Sequence, residues 1–210
     1  LLLALITGMT GCFTITISPR YVTLSDDYTT LTATPDSEKV YRIEIDNMSF
    51  TNSKDVTIDI AYSDTPSVEA VVSEDLLDYG FKITMNNGVL RVGPSKHLEI
   101  RTDRFELKIR ARFDEIDFSG GYDVTVDAGG AQSLSLNVSG AANGSVENLY
   151  VSDFDAKISG AGSFVLSGAA DKATIHISGA GDIEAAGLTC NALDAKISGA
   201  GDMTIAVVDV

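Results

Sequence analysis

Five Ser-Gly pairs recur at a near-constant interval in the second half of this sequence, and a serine hydroxyl can act as a nucleophile. The pairs are Ser119-Gly120, Ser139-Gly140, Ser159-Gly160, Ser178-Gly179 and Ser198-Gly199, at intervals of 20, 20, 19 and 20 residues. A catalytic serine needs one histidine base held by one acid, so it occurs once in a chain. The periodic recurrence instead predicts a repeated structural corner, and no catalytic residue is assigned.

Aspartates close two of these corners, and carboxylates could bind calcium. The segment Gly-Ala-Gly-Asp occurs at residues 179–182 and 199–202. Glycine-rich calcium repeats have a nine-residue period and a residue between the last glycine and the aspartate, which this chain lacks. His97 and His176 lie far apart, and neither has a further ligand at a metal-site spacing. We therefore predict solvated turn aspartates, and neither a metal nor a cofactor.

The composition indicates an all-β protein with many tight turns. The 210 residues include 19 Gly, 4 Pro and no Trp, and Ser, Thr, Val and Ile dominate the strand-like segments. The net charge of −15 excludes nucleic acid as a partner, because binding nucleic acid depends on basic residues that displace phosphate counterions.

One stretch departs from this acidity. Residues 82–112 hold eight basic residues and three acidic ones, a net charge of +5. Five of the basic residues form a candidate anionic-ligand site, here called the basic strip: Arg101, Arg104, Lys108, Arg110 and Arg112. Two interpretations remain open, a solvated strand face and a site for an anionic glycan or surface polymer.

The first twelve residues have the composition of a secretory signal. Residues 1–10 are almost wholly apolar, but a helix that crosses a bilayer needs about 20 residues. Met9-Thr10-Gly11-Cys12 resembles a bacterial lipobox, which predicts lipidation of Cys12 and a membrane anchor there. A plain cleaved signal and an apolar strand are the alternatives. Cys190 is predicted to be a small buried apolar residue, with a Cys12–Cys190 disulfide as the alternative.

Period-two alternation predicts strands over residues 41–45, 56–60 and 105–113. Asn86-Asn87-Gly88 predicts a tight turn between two further strands, 81–85 and 89–92. Residues 73–79 favour a helical turn that Ser73 caps and Gly80 ends. His176 lies between two isoleucines, so on a strand it faces outward.

The repeat is clearest over residues 116–210 and predicts a solenoid. Each copy supplies a strand, a Ser-Gly corner, a second strand and a looser return, and stacked copies bury a common core at a spacing of about 4.8 Å. We expect a column of small residues inside the corner: Ala141, Ala161, Ala180 and Ala200. We expect a polar ladder beside it: Asp123, Asn143, Ser163, Asp182 and Asp202. The 19-residue step predicts a one-residue slip near residues 169–172.

Two motifs carry a resemblance to a known family. They are Phe118-Ser119-Gly120-Gly121-Tyr122-Asp123-Val124 and the recurring Ile-Ser-Gly-Ala-Gly-Asp, and Asn-Asn-Gly-Val-Leu-Arg-Val at residues 86–92 fits the turn and strand that precede them. Over about residues 38–210 the chain resembles the bacterial "putative auto-transporter adhesin, head GIN domain" family. The resemblance implies a right-handed parallel β-helix, export to the envelope and an adhesive or scaffolding role, and it supplies no catalytic residues.

Three segments and one function are therefore expected. Residues 1–12 form the signal, 13–37 a linker or N-terminal strands, and 38–210 the β-helix domain. The expected protein is a non-catalytic, lipid-anchored envelope protein outside the cytoplasm, with the membrane and surface glycans or host and envelope components as partners. The alternatives are a glycan-binding module and a polysaccharide-active β-helix enzyme, which would use outward acids such as Asp153, Asp155, Asp171 and Asp194.

Overall fold

The computed structural model describes residues 21–35 and 40–205, which form 17 strands and one short helix. The strands are β1 (Tyr21–Thr23), β2 (Tyr28–Ala33), β3 (Arg42–Ile45), β4 (Met48–Phe50), β5 (Asp55–Tyr62), β6 (Ser67–Ser73), β7 (Lys82–Asn86), β8 (Val89–Gly93), β9 (Leu98–Arg101), β10 (Arg104–Ala111), β11 (Glu115–Phe118), β12 (Asp123–Asp127), β13 (Ser133–Val138), β14 (Asn143–Ile158), β15 (Ser163–Ile177), β16 (Asp182–Ile197) and β17 (Met203–Ile205), and the helix is α1 (Asp75–Asp78). The predicted signal and Cys12 lie outside the described residues.

Most of the described strands belong to one 14-stranded sheet, and β1, β9 and β4 form a small parallel sheet. The order in the main sheet is β2-β6-β10-β5-β12-β14-β13-β11-β3-β8-β7, and β15, β16 and β17 continue from β14. Residues 143–147 of β14 pair with β12, whereas residues 153–158 pair with β13. The sheet therefore folds back on itself along β14 and makes a nearly closed, barrel-like wall.

The prediction of a right-handed parallel β-helix is wrong for this fold. Three pairs in the main sheet are antiparallel: β2 with β6, β6 with β10, and β7 with β8. Alternation specifies which side of a strand is buried, but not the direction of its neighbour, and a short turn joins antiparallel strands as readily as a crossover joins parallel ones. The mixed, barrel-like sheet replaces the solenoid that the repeat suggested.

The repeat nevertheless sets the register of the parallel strands. Ser133 pairs with Asp153, Asp153 with Lys172, and Lys172 with Ala192, at offsets that follow the spacing of the Ser-Gly pairs. The one-residue slip between β14 and β15 lies where Val146 and Leu149 pair with Leu166 and Gly168, directly before the predicted residues 169–172. Asn148 has a φ of 53° at this irregularity, a conformation that asparagine tolerates better than most residues.

Local turn chemistry accounts for the elements that were predicted correctly. β7 and β8 form the predicted hairpin, with Asn87 and Gly88 at φ of 50° and 77° in its turn. The predicted strands at 41–45, 56–60 and 105–113 correspond to β3, β5 and β10. The helix is shorter than predicted, and no side chain caps it, because Ser73 is the last residue of β6. The described residues include no helix that is long and apolar enough to span a membrane.

The two arms of the main sheet enclose an aromatic core. Its largest members are at most 1% exposed: Phe105, Phe113, Phe118, Phe154 and Phe164. The rings of Phe118 and Phe164 stack with their centroids 6.2 Å apart. Because truncating a buried phenylalanine to alanine costs about 3–5 kcal/mol, this core holds the arms firmly and leaves the outward columns of side chains on a stable frame.

Candidate functional site

The Ser-Gly corners stack directly on one another. The amide of Ser139 donates to the carbonyl of Phe118 (2.9 Å), and the amide of Ser159 donates to that of Val138 (2.8 Å). The two serine hydroxyls donate to the same carbonyls at 3.4 and 3.3 Å. Within the described residues none of the five corner serines is hydrogen-bonded to a histidine, so the arrangement supplies no activated nucleophile.

Glycine follows each serine because successive corners approach backbone to backbone. A Cβ added to Gly140 would overlap the carbonyl oxygen of Gly120, and one added to Gly160 would overlap that of Gly140. The same overlap recurs at Gly179 and Gly199. The geometry thus gives the periodic glycines a structural reason that is independent of any ligand.

The structure agrees only in part with the small-residue column and the polar ladder that were predicted to follow each Ser-Gly pair. The alanine column is exposed, and the small residues that face inward lie one position later, at Ala142, Gly162 and Gly181. The reason is that two consecutive corner glycines or alanines carry the chain around the bend before it turns inward. The polar ladder is present: Asn143 Nδ2 donates to Asp123 Oδ1 (3.3 Å), and the amide of Asp202 donates to Asp182 Oδ1 (2.8 Å).

The basic strip follows β10 and its two ends. β10 lies between β5 and β6, and both neighbours contribute acidic residues to the face that it shares. Arg110 Nη2 is 2.6 Å from Asp59 Oδ2, and Arg112 Nε is 2.7 Å from Asp64 Oδ1. The C-terminal half of the strip is therefore paired with carboxylates that lie about 50 residues earlier in the chain.

The other three residues of the strip also have partners. Arg104 Nη2 lies 2.7 Å and Lys108 Nζ 3.7 Å from the carboxylate of Glu106. The guanidinium of Arg101 lies over the ring of Tyr21, 4.2 Å from its centroid. Four of the five basic residues are thus paired with carboxylates, and Arg101 contacts an aromatic ring instead.

A groove of about 680 Å³ runs along the column of corner serines. Its other side is a column of side chains two positions before each serine, and these pair in register from strand to strand. We call this set the groove column: Glu44, Asp117, Asn137, Lys157, His176 and Lys196. Because the column crosses the strands, its members follow one another at the inter-strand spacing of about 4.8 Å.

Opposite charges neutralise one end of the groove column. Arg91 forms an ion pair with Glu44, and Arg42 forms one with Asp117 and lies 3.1 Å from Glu44. Desolvation lowers the pKa of Arg42, but the hydrogen bond to Asp117 and the neighbouring carboxylates outweigh it and raise that pKa above its usual value. Asn137 continues this end by donating to Asp117 Oδ1 at 2.8 Å.

The other end of the groove column is basic on three adjacent strands. Lys157, His176 and Lys196, here called the cationic column, pair Cα to Cα across β14, β15 and β16. Lys157 Nζ lies 2.9 Å from Asp155 Oδ1. Among residues 21–35 and 40–205, neither His176 nor Lys196 has an ion pair or a side-chain hydrogen bond.

A second groove, of about 530 Å³, lies on the strand halves that follow the register slip. Tyr150, 68% exposed, stands beside small residues at the paired positions, Ala169 and Thr189. Asn191 Nδ2 donates to Asp171 Oδ1 at 3.1 Å at its edge. Cys190 also lines this groove with a free, half-buried thiol, so it is less buried than predicted.

The described residues contain no group of three or more His, Cys, Asp or Glu side chains that could hold a metal ion. His97 is exposed, and His176 faces outward between two buried isoleucines, as alternation predicts. The corner aspartates bond to backbone amides and to the neighbouring ladder residue rather than converging on one point.

Family comparison matches residues 49–209 to the model described as "Putative auto-transporter adhesin, head GIN domain". This match covers more than half of the chain. The chain belongs to the head GIN domain family. None of the functionally curated proteins is a significant match to it.

Solved structures share the fold of this head GIN domain. A putative adhesin from Bacteroides fragilis superposes with a TM-score of 0.73 at 20% identity, covering 88% of this chain and 82% of its own. A putative adhesin from Parabacteroides merdae gives 0.56 at 22% identity, covering 89% and 84%. A putative lipid binding protein from Parabacteroides distasonis gives 0.58 at 14% identity, covering 90% and 99%. At these identities the likeness concerns the fold alone.

The cationic column of this head GIN domain was missed from the sequence, although a signal for it exists. Asp117, Asn137, Lys157, His176 and Lys196 follow the same spacing as the serines, two positions earlier. The basic residues of the strip drew attention because they are close in sequence. The three cations of the column are dispersed over 40 residues and become neighbours only through the parallel register.

Proposed function

We propose that this head GIN domain protein is a non-catalytic component of the bacterial cell envelope that acts in adhesion or surface structure. One observation carries the proposal: periodic polar columns line open grooves on the outside of a firmly packed sheet. The serines of those columns are engaged with backbone carbonyls, which suits a binding surface better than a reactive one. Membership of an adhesin family supports the same function.

The proposed location is outside the cytoplasm, with a lipid anchor at Cys12. The support is the lipobox-like segment that ends at this cysteine. A lipid chain at that position would hold the domain at the membrane surface. Replacing Cys12 with serine in the native host should move the protein from the membrane fraction to the soluble fraction, and unchanged membrane retention would contradict the anchor.

Glycan binding is the favoured second candidate, because the groove of Tyr150 presents an exposed aromatic ring beside an Asp–Asn pair. Aromatic faces with a few placed polar groups are typical of small-ligand sites. Polysaccharide cleavage is the remaining alternative.

One screen separates these functions. The purified protein would be tested for retention on envelope material and on an array of glycans, and for turnover of polysaccharide lyase and hydrolase substrates. Saturable retention without turnover is expected. Turnover that a single Asp→Asn substitution abolishes would overturn the non-catalytic proposal, and absence of any retention would overturn adhesion.

A further inference from the structure

The cationic column is an arrangement that the sheet does not need for its own stability. Like charges on nearby strands destabilise a sheet when no opposite charge neutralises them. Lys157 and Lys196 lie on either side of His176 at paired positions on three consecutive strands, so two positive charges share one column. At the other end of the same groove, Glu44 and Asp117 are also like charges at paired positions, but Arg91 and Arg42 neutralise them. The basic end has less compensation than this end, which favours an anion that approaches from outside.

The acidic groups nearby do not cancel the column. A second column lies beside the cationic column, two residues earlier on each of the same three strands. It holds Asp155, Thr174 and Asp194. Asp155 contacts Lys157, but no contact joins Asp194 to Lys196 among the described residues. His176 and Lys196 therefore face the groove without a bonded carboxylate, in a protein whose overall charge is −15.

The corner serines on the other side of the groove supply polar groups that suit a carbohydrate. Ser159 and Ser198 donate their hydroxyl protons to backbone carbonyls at 3.3 and 3.4 Å, which leaves oxygen lone pairs as acceptors toward the groove. One side of the groove thus supplies cationic donors and the other supplies acceptors. A polymer that carries both anionic groups and hydroxyls matches both sides.

The spacing of the groove column argues against an acidic peptide as the ligand. An extended peptide presents side chains on one face about every 6.7 Å, twice the rise per residue, whereas the groove column repeats about every 4.8 Å. A polysaccharide need not follow the spacing of a β-strand, and its ring hydroxyls provide donors for the serine oxygens at every unit. The groove volume of about 680 Å³ lies within the range of ligand sites.

We propose that the basic end of this groove binds an acidic polysaccharide. Lys157, His176 and Lys196 contact its anionic groups, and Ser159, Ser178 and Ser198 accept hydrogen bonds from its hydroxyls. This inference rests on the proposed function in adhesion and names the class of ligand and the site. It concerns residues outside the basic strip and outside the groove of Tyr150.

Binding of labelled oligosaccharides to the full chain, followed by fluorescence anisotropy, tests the proposal. Oligogalacturonate supplies carboxylates, dextran sulfate oligomers supply sulfates, neutral dextran oligomers supply hydroxyls alone, and polyglutamate supplies carboxylates on a peptide. At least one acidic oligosaccharide should bind, and which one binds better identifies the anion. Its affinity should fall as salt rises from about 0.01 to about 1 M, which shortens the Debye length from about 30 to about 3 Å. Equal binding of neutral dextran, tighter binding of polyglutamate, or no binding to either acidic sugar would overturn it.

Matched variants locate the site. Lys157→Gln and Lys196→Gln should each weaken binding about tenfold, and the double variant about a hundredfold, because each removes one charge-assisted hydrogen bond. The control Lys82→Gln/Lys172→Gln makes the same change in net charge outside the groove and should weaken binding less than about threefold. An equal loss in both double variants would show that only overall charge matters and would overturn the site. Circular dichroism confirms that both variants are folded.

Retention on envelope material separates this inference from the proposed function. If wild-type protein is retained and the Lys157→Gln/Lys196→Gln variant is retained equally well, adhesion stands and the groove inference fails. If the groove variant alone loses retention, both stand. If wild-type protein is not retained at all, the proposed function fails.

Discussion

The basic strip on β10 and the cationic column of the groove contain the same kinds of side chain in opposite electrostatic settings. In the strip, Arg110 and Arg112 meet Asp59 and Asp64 across the sheet. In the column, Lys157 and Lys196 flank His176, and neither His176 nor Lys196 contacts a carboxylate within the described residues. The residues opposite a charge across a sheet, and not its neighbours in sequence, therefore decide whether that charge is already paired.

The stacked corners hold the groove column in register, and Gly160→Ala should disturb this stacking more than the other substitutions do. The added Cβ overlaps the carbonyl oxygen of Gly140, so we expect the free energy of unfolding to fall by about 2–3 kcal/mol. Denaturant unfolding measures the loss. The control Gly129→Ala places its Cβ 3.0 Å from the movable carboxylate of Asp127 and should cost less than about 1 kcal/mol. Equal costs would mean that the corners are not closely stacked.

Tyr122 joins the corner region to the N-terminal strands, which hold the compensated end of the groove. Its buried hydroxyl donates to the carbonyl of Ile45 at 2.7 Å. Tyr122→Phe should therefore cost about 1–2 kcal/mol of stability. Burial, with a contribution from the charge of Asp46, raises the pKa of Tyr122 far above its usual value.

The raised pKa of Tyr122 predicts how the stability difference between the wild type and Tyr122→Phe depends on pH. A folded-state pKa above the unfolded value of about 10 means that the neutral phenol stabilises the fold fully below about pH 10, and that this stability declines as pH rises further. The wild type should therefore lose more stability than Tyr122→Phe between about pH 9 and about pH 11. A constant gap across this range would contradict the assignment.

Asp59→Asn tests whether the basic strip does not bind anions because its charges are already paired with carboxylates. Removing this carboxylate leaves Arg110 without its ion-pair partner, so stability should fall by about 0.5–1 kcal/mol. The same variant should gain measurable affinity for oligogalacturonate through the strip. If affinity is unchanged while stability falls, compensation is not what keeps the strip from binding.

Lys196→Gln should have the smallest effect on stability. Lys196 pairs with His176 and forms no ion pair within the described residues, so the free energy of unfolding should change by less than about 0.5 kcal/mol while anion binding weakens. Thermal unfolding measures the change. A larger loss of stability would show that Lys196 has a stabilising partner.

The sequence predicted what is decided locally or by a fixed period. Asn87 and Gly88 define their hairpin through the positive φ that the turn needs, and the spacing of the Ser-Gly pairs predicted the offsets of the parallel strands. The fold class was wrong because the direction of β2, β6 and β10 depends on contacts between distant segments, which alternation does not encode.

The candidate site was predictable only in part for the same reason. The basic residues of the strip are close in sequence, but the acids that compensate Arg110 and Arg112 lie 51 and 48 residues earlier. The cationic column has the reverse property, because its members are separated in sequence and meet only after pairing. Comparing the position two residues before each serine across copies would have found it.

The most direct test maps oligogalacturonate onto the backbone amides by NMR titration of the ¹⁵N-labelled chain. We expect shifts at residues 157, 176 and 196 and at the adjoining corner serines, with little change at residues 104–112. Shifts concentrated on residues 104–112, with the groove unaffected, would contradict it.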